Sequence, residues 1–134
     1  MIEMTLEIAE RAARAAQAKA RELGTPMTVS VVDEAGRLVL TARGDGTGFF
    51  TPETSRAKAT AAAAFGKPTN ALQDMRKTHP FWESLPAVVP EVLPTLGGAP
   101  ILRQGRVIGG IGCGGGTGEQ DQICANAGAQ AIAG

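Results

Sequence analysis

Apolar residues recur at alternating spacings of three and four along Thr5 to Leu23, at Leu6, Ala9, Ala13, Ala16, Ala20 and Leu23, which is the repeat of one helical face. Glu10 and Arg14 stand four apart on the other side and support the helix there. Thr5 is placed to cap the start, and Gly24 with Pro26 marks the stop. The repeat then shortens to two. Thr28 to Asp33 (TVSVVD) and Arg37 to Arg43 read as a β-hairpin turned by Glu34-Ala35-Gly36. Leu38, Leu40 and Ala42 lie on one side, and Val39, Thr41 and Arg43 on the other.

A second helix is announced by Thr51-Pro52-Glu53, a capping hydroxyl followed by proline and an acid in the first turn, and it runs to about Phe65 before Gly66 and Pro68. Thr69 is expected to cap a shorter helix through about Lys77. Pro80, Pro86, Pro90 and Pro94 exclude a long helix or central strand from Thr78 to Gly98, predicting an ordered loop with a helical turn near Trp82. Pro100 to Arg103 and Arg106 to Ile111 form a second hairpin about Gln104-Gly105. A glycine turn, Gly112 to Gly116, then leads into a helix from Gly118 to Ile132, with Thr117 and Gln120 as a capping box. The order α, ββ, α, α, loop, ββ, α predicts an α+β fold: one antiparallel sheet flanked by helices on both faces. Strands arranged in hairpins disfavour a parallel sheet.

A chain of 134 residues with 13 basic and 13 acidic side chains points to one domain with no electrostatic pull toward nucleic acid or a membrane surface. No apolar run is long enough to span a bilayer. Glu3 and Glu7 in an amphipathic N-terminus do not read as a secretory signal. Cys113 and Cys124 form neither a disulfide framework nor a zinc pattern, so a reduced, cytoplasmic setting is expected.

Gly110, Gly112 and Gly115 match G-x-G-x-x-G between a strand and a helix. A dinucleotide fold also requires a second parallel strand and an acid about 20 residues on, but a single helix occupies nearly all the chain beyond Gly115. A phosphate loop fails as well. No Gly-Lys-Ser/Thr occurs, and Glu119 and Asp121 already complement the dipole of the last helix and repel an anion.

Four stretches carry a resemblance over nearly the whole chain: VVDEAGRLVLTARGDG (31–46), AKATAAAAFGKPT (57–69), GGAPI (97–101) and GRVIGGIGCGGGTGEQDQICA (105–125). Together they resemble the GlcG/HbpS-like family. The resemblance implies a profilin-like domain, assembly into a homo-oligomer that is a tetramer or larger, and heme as the best candidate ligand. It does not by itself assign an activity. One departure falls in the glycine turn, where Cys113-Gly114 replaces the family's common Val-Ser.

The candidate ligand site lies where Gly112, Cys113, Gly114 and Gly115 meet the loop after Arg43 and the helix begun by Thr51. Arg43 and Lys58 are suited to a carboxylate or propionate, with Asp45 orienting one of them; the simpler reading is an Arg43–Asp45 bridge that fixes the loop. His79, the only histidine, is a candidate ligand to heme iron or a surface side chain. Phe81 and Trp82 beside it are a porphyrin wall or packing anchors. Cys113 precedes a helix but has no base nearby in sequence, so an inert buried thiol is the simpler reading. Two rival functions remain open. One is a cofactor-independent enzyme on a small carboxylated or carbonyl metabolite, with Lys58, Asp45 or Glu119 moving a proton. The other is an accessory subunit whose alanine-rich helix, including Ala57, Ala61, Ala62 and Ala64, forms an interface.

Overall fold

A computed structural model describes residues 3–134. The chain runs α1 (Leu6–Leu23), β1 (Thr28–Asp33), β2 (Leu38–Ala42), α2 (Thr51–Phe65), α3 (Thr69–Arg76), α4 (Pro80–Val88), β3 (Gly98–Arg103), β4 (Arg106–Gly114) and α5 (Gly118–Gln130). The strands form one antiparallel sheet in the order β2-β1-β4-β3, so each hairpin is kept and β1 and β4 pair in the middle. This is the α+β architecture expected from the chain.

Residue alternation divides the sheet into two chemically different faces. Val29, Val31, Ile111, Cys113, Ala99 and Ile101 join the buried face of α1 and the α5 residues Cys124 and Ala125 in the main core. The buried stripe of α1 is Ile8, Ala9, Ala12, Ala13, Ala16 and Ala20, whereas Leu6 is 56% exposed, so the apolar face is rotated from the one that begins at Leu6. Thr5 caps α1 by accepting from the Ile8 amide, and Gly24 closes it at φ 71°, in the left-handed region.

The other face receives α2 and is polar and nearly flat. Buried hydroxyls satisfy one another across it: Ser30 Oγ lies 2.7 Å from Ser55 Oγ, and Thr51 Oγ1 donates to Thr28 Oγ1 at 2.8 Å. The glycines of β4 explain the closeness. A Cβ at Gly110 would stand 2.2 Å from the Ala59 carbonyl oxygen, and one at Gly112 would stand 1.9 Å from that of Ser55. The strand's G-x-G pattern is therefore a trough for a helix backbone. Gly112 and Cys113 belong to β4 rather than to the turn, which is confined to the residues after Gly114.

Three other expectations are corrected. Thr51 and Thr69 lie inside their helices, after Phe50 and Pro68, and neither helix has a side-chain cap; their hydroxyls instead serve Thr28 and Gly98. The proline-rich stretch contains a full helix, α4. Pro80 at its first turn needs no helical N–H partner, and Pro86 falls late enough to cost one internal bond. Finally, Ala57, Ala61 and Ala62 are buried within the chain, and only Ala64 of that set is exposed. Their small size serves internal packing and supplies no argument for a second subunit.

Candidate functional site

A pocket of about 400 Å³ opens where the N-terminal half of α2 meets the end of β4 and the start of α5. Lys58, two turns into α2, is at its base and is only 8% exposed. Its Nζ donates to the Cys113 carbonyl at 2.9 Å and to Asp121 Oδ2 at 3.3 Å. Asp121 Oδ1 accepts from the Gly116 amide at 2.9 Å, so a single carboxylate ties the lysine to the glycine turn. Burial raises the pKa of Asp121 above the ordinary carboxylate value, outweighing the opposing pull of Lys58 and the Gly116 amide.

The walls are set by small residues. Gly114 and Gly115 form one side, Thr51 and Thr54 another, and Leu93 and Phe50 give an apolar rim. Gly97 backs the lysine: its φ is +123°, and a Cβ there would stand 2.9 Å from Lys58 Nζ and 2.7 Å from the Cys113 carbonyl. Gln122 holds this segment by accepting from the Gly97 amide at 2.9 Å and donating to the Gly98 carbonyl at 2.8 Å. Thr69 Oγ1 accepts from the Gly98 amide at 2.7 Å.

Of the residues singled out in the sequence, this pocket gathers Lys58, Gly114 and Gly115. Gly112 is covered by the α2 backbone, and Cys113 offers the lysine only its carbonyl while its thiol is buried in the core. That burial also pushes the Cys113 thiol well above its usual pKa, the inert reading rather than the reactive one. Arg43 and Asp45 are exposed and line no part of the pocket, and they form no salt bridge among the described residues. Glu119 is exposed at the first turn of α5. The proton-moving trio Lys58, Asp45 and Glu119 is thus not brought together; the carboxylate beside Lys58 is Asp121. Helix-terminal position made Asp121 look like a dipole charge. The signal that distinguishes it is the spacing to Gly116, which lets one carboxylate bind the turn before its own helix.

His79 lies elsewhere, in an open depression of about 460 Å³ with Arg76, Lys77 and Glu83. Its Nδ1 is 2.8 Å from Thr78 Oγ1. Arg76 Nε is buried without a hydrogen-bond partner among the described residues, although its Nη2 reaches Glu83 at 3.8 Å. Phe81 is 57% exposed, whereas Trp82 is 9% exposed and packs edge-on against Phe65 at 4.7 Å. Trp82 is therefore an anchor of the small α2–α3–α4 core, and only Phe81 is available as a wall.

The family described as "Haem degrading protein HbpS-like" matches residues 4–130. A 15.0 kDa protein from the dhaT-dhaS intergenic region of Citrobacter freundii is 32% identical over 123 residues, 91% of this chain and 87% of that protein. A double mutant of Streptomyces reticuli HbpS superposes with a TM-score of 0.87 at 35% identity, covering 96% of this chain and 86% of that one. A PduOC–heme complex superposes with a TM-score of 0.85 at 30% identity, covering 96% and 94%.

Proposed function

The chain belongs to the HbpS-like family, and on that premise we propose that it is a small-molecule-binding protein whose ligand is heme or a related tetrapyrrole. The observation that carries this reading is the similarity to PduOC, a relative solved as a heme complex.

The His79 depression has a donor set that fits the group. The imidazole is the usual proximal ligand to heme iron, and the Thr78 contact to Nδ1 leaves Nε2 for a metal. The guanidinium of Arg76 and the ammonium of Lys77 line the depression and offer two cations to propionates. Both cations are held only by surface ion pairs, Arg76 to Glu83 and Lys77 to Asp74, which yield readily. Phe81 does not line the depression itself but follows Pro80, which does, and presents an exposed ring beside it. Heme bound here would supply iron-centred redox chemistry, with His79 as the nitrogen donor that would hold it and Arg76 and Lys77 as the charge match.

Self-association belongs to the same reading. Phe49 is 84% and Phe50 54% exposed, in edge-on contact at the rim of the Lys58 pocket, and such aromatic exposure suits a subunit interface. No helix among the described residues is long and apolar enough to cross a membrane.

Titration with hemin, followed at the Soret band, tests the reading. Saturable binding with a shifted band is expected, and a folded His79→Ala variant should lose the nitrogen-ligated spectrum. An unshifted, unsaturable wild-type titration would overturn it.

A further inference from the structure

The Lys58 pocket holds a charged group that tetrapyrrole binding leaves unused. An ammonium has three N–H donors. Those of Lys58 meet the Cys113 carbonyl and Asp121 Oδ2, and no third protein acceptor is bonded to Nζ among the described residues. The remaining donor belongs to a lysine that is more than nine-tenths buried and lines the pocket. Thr54 and Thr95 add hydroxyls beside it, and Leu93 and Phe50 add apolar surface farther out.

We propose that this pocket binds a small monocarboxylate, with one carboxylate oxygen on the third N–H of Lys58 and a proton held on Asp121 while the anion is bound.

Charge counting selects both parts. With Lys58 and Asp121 both ionised the base of the pocket is neutral, and Asp121 repels an incoming anion. With Asp121 protonated, a single positive charge remains, and one carboxylate neutralises it. A phosphate dianion would leave an uncompensated buried charge, which is expensive. An uncharged amide would leave the ammonium unneutralised.

The surroundings permit Asp121 to take that proton. Lys58 faces it from α2, Cys113 from β4 and Cys124 from the next turn of α5; both thiols are raised, Cys124 to about 11, and stay neutral. The segment before β3 brings no ionisable side chain to the pocket lining, only Leu93, Thr95 and, behind them, Gly97, whose absent side chain lets Lys58 and Asp121 meet. Burial already biases Asp121 toward its acid form. Binding needs neither iron nor turnover, so it stands apart from the tetrapyrrole reading.

Calorimetric titration with isobutyrate, with acetamide and inorganic phosphate as controls, tests this at weakly acidic and weakly alkaline pH. Isobutyrate should saturate, bind more tightly at the acidic end and take up a proton from buffer. Asp121→Asn should bind equally at both pH values. Lys58→Met should weaken binding by roughly 10- to 100-fold, the range for losing one charge-assisted hydrogen bond. If circular dichroism shows that Lys58→Met is unfolded, the wild-type pH dependence and Asp121→Asn decide alone. Absence of isobutyrate binding, equal binding of either control, or pH-independent binding by the wild type would overturn the proposal.

Discussion

Replacing Gly112 by alanine should damage this fold far more than the same change two residues later. An ideal Cβ on Gly112 falls 1.9 Å from the Ser55 carbonyl oxygen and 2.7 Å from the Ala59 amide nitrogen, where ordinary contact begins at 3.4 Å. Both obstacles are backbone in α2, so no rotamer change relieves the clash. The helix must lift from the sheet, disturbing the Ser30–Ser55 hydrogen bond and the Val32–Ala59–Ala63 cluster. Overpacking of this kind costs typically about 1–3 kcal/mol and occasionally more. The rigid obstacle puts Gly112→Ala at about 3 kcal/mol or above, even after the modest gain from restricting the unfolded chain. For a chain of this size that is a fall in melting temperature of about 10 °C or more. At Gly114 the nearest atoms are side-chain atoms of Thr54 and Thr51 at 3.5 and 3.7 Å, and no positive φ is required, so Gly114→Ala should stay within about 0.5 kcal/mol. Urea unfolding followed by circular dichroism compares the two. Equal stabilities for the two variants would refute the assignment of Gly112 to helix packing.

Gln122→Leu should cost about 1–3 kcal/mol in the same assay, since it strands the buried Gly97 amide and leaves the Gly98 carbonyl to Thr69 alone among side chains. Because folding raises the Asp121 pKa, its favourable contribution is complete at pH below the unfolded carboxylate value and is lost as pH rises through the raised one; Asp121→Asn should flatten that part of the stability–pH curve measured by urea unfolding. Cys113 and Cys124 should resist iodoacetamide at mildly alkaline pH in the native protein and react once it is unfolded, as a mass-spectrometric count of adducts would show.

Most of the fold was legible because its signals are local. Thr5, Gly24 and the Thr117–Gln120 capping box delimit helices through groups within a few residues, and the structure has all three. The period-two stretches around Gly36 and Gln104-Gly105 became hairpins whose turns need positive φ at Gly36, Gln104 and Gly105. What failed was whatever depended on distant partners. Proline content hid α4, because Pro80 sits where a helix tolerates it and because burial of Trp82 against Phe65 and Leu72 stabilises the segment. The hydroxyls of Thr51 and Thr69 read as caps but bond across the fold. At the site, Lys58 and the later glycines were recognisable by type. Asp121 and Gly97 were not, since their roles rest on contacts with Lys58 across 63 and 39 positions of chain. The same limit made Arg43 and Asp45 look like partners of Lys58, when the strand end carries them into solvent.

The most direct test of ligand binding uses the protein's single tryptophan. Trp82 is three residues from His79 and fixed in the α2–α3–α4 core, so its emission reports a heme bound nearby through energy transfer. Adding hemin to the wild-type protein should quench that emission saturably, with an endpoint at one equivalent per chain, and His79→Ala should weaken the binding. A linear, unsaturable loss of emission, identical in the variant and matched by free tryptophan, would contradict heme as the ligand.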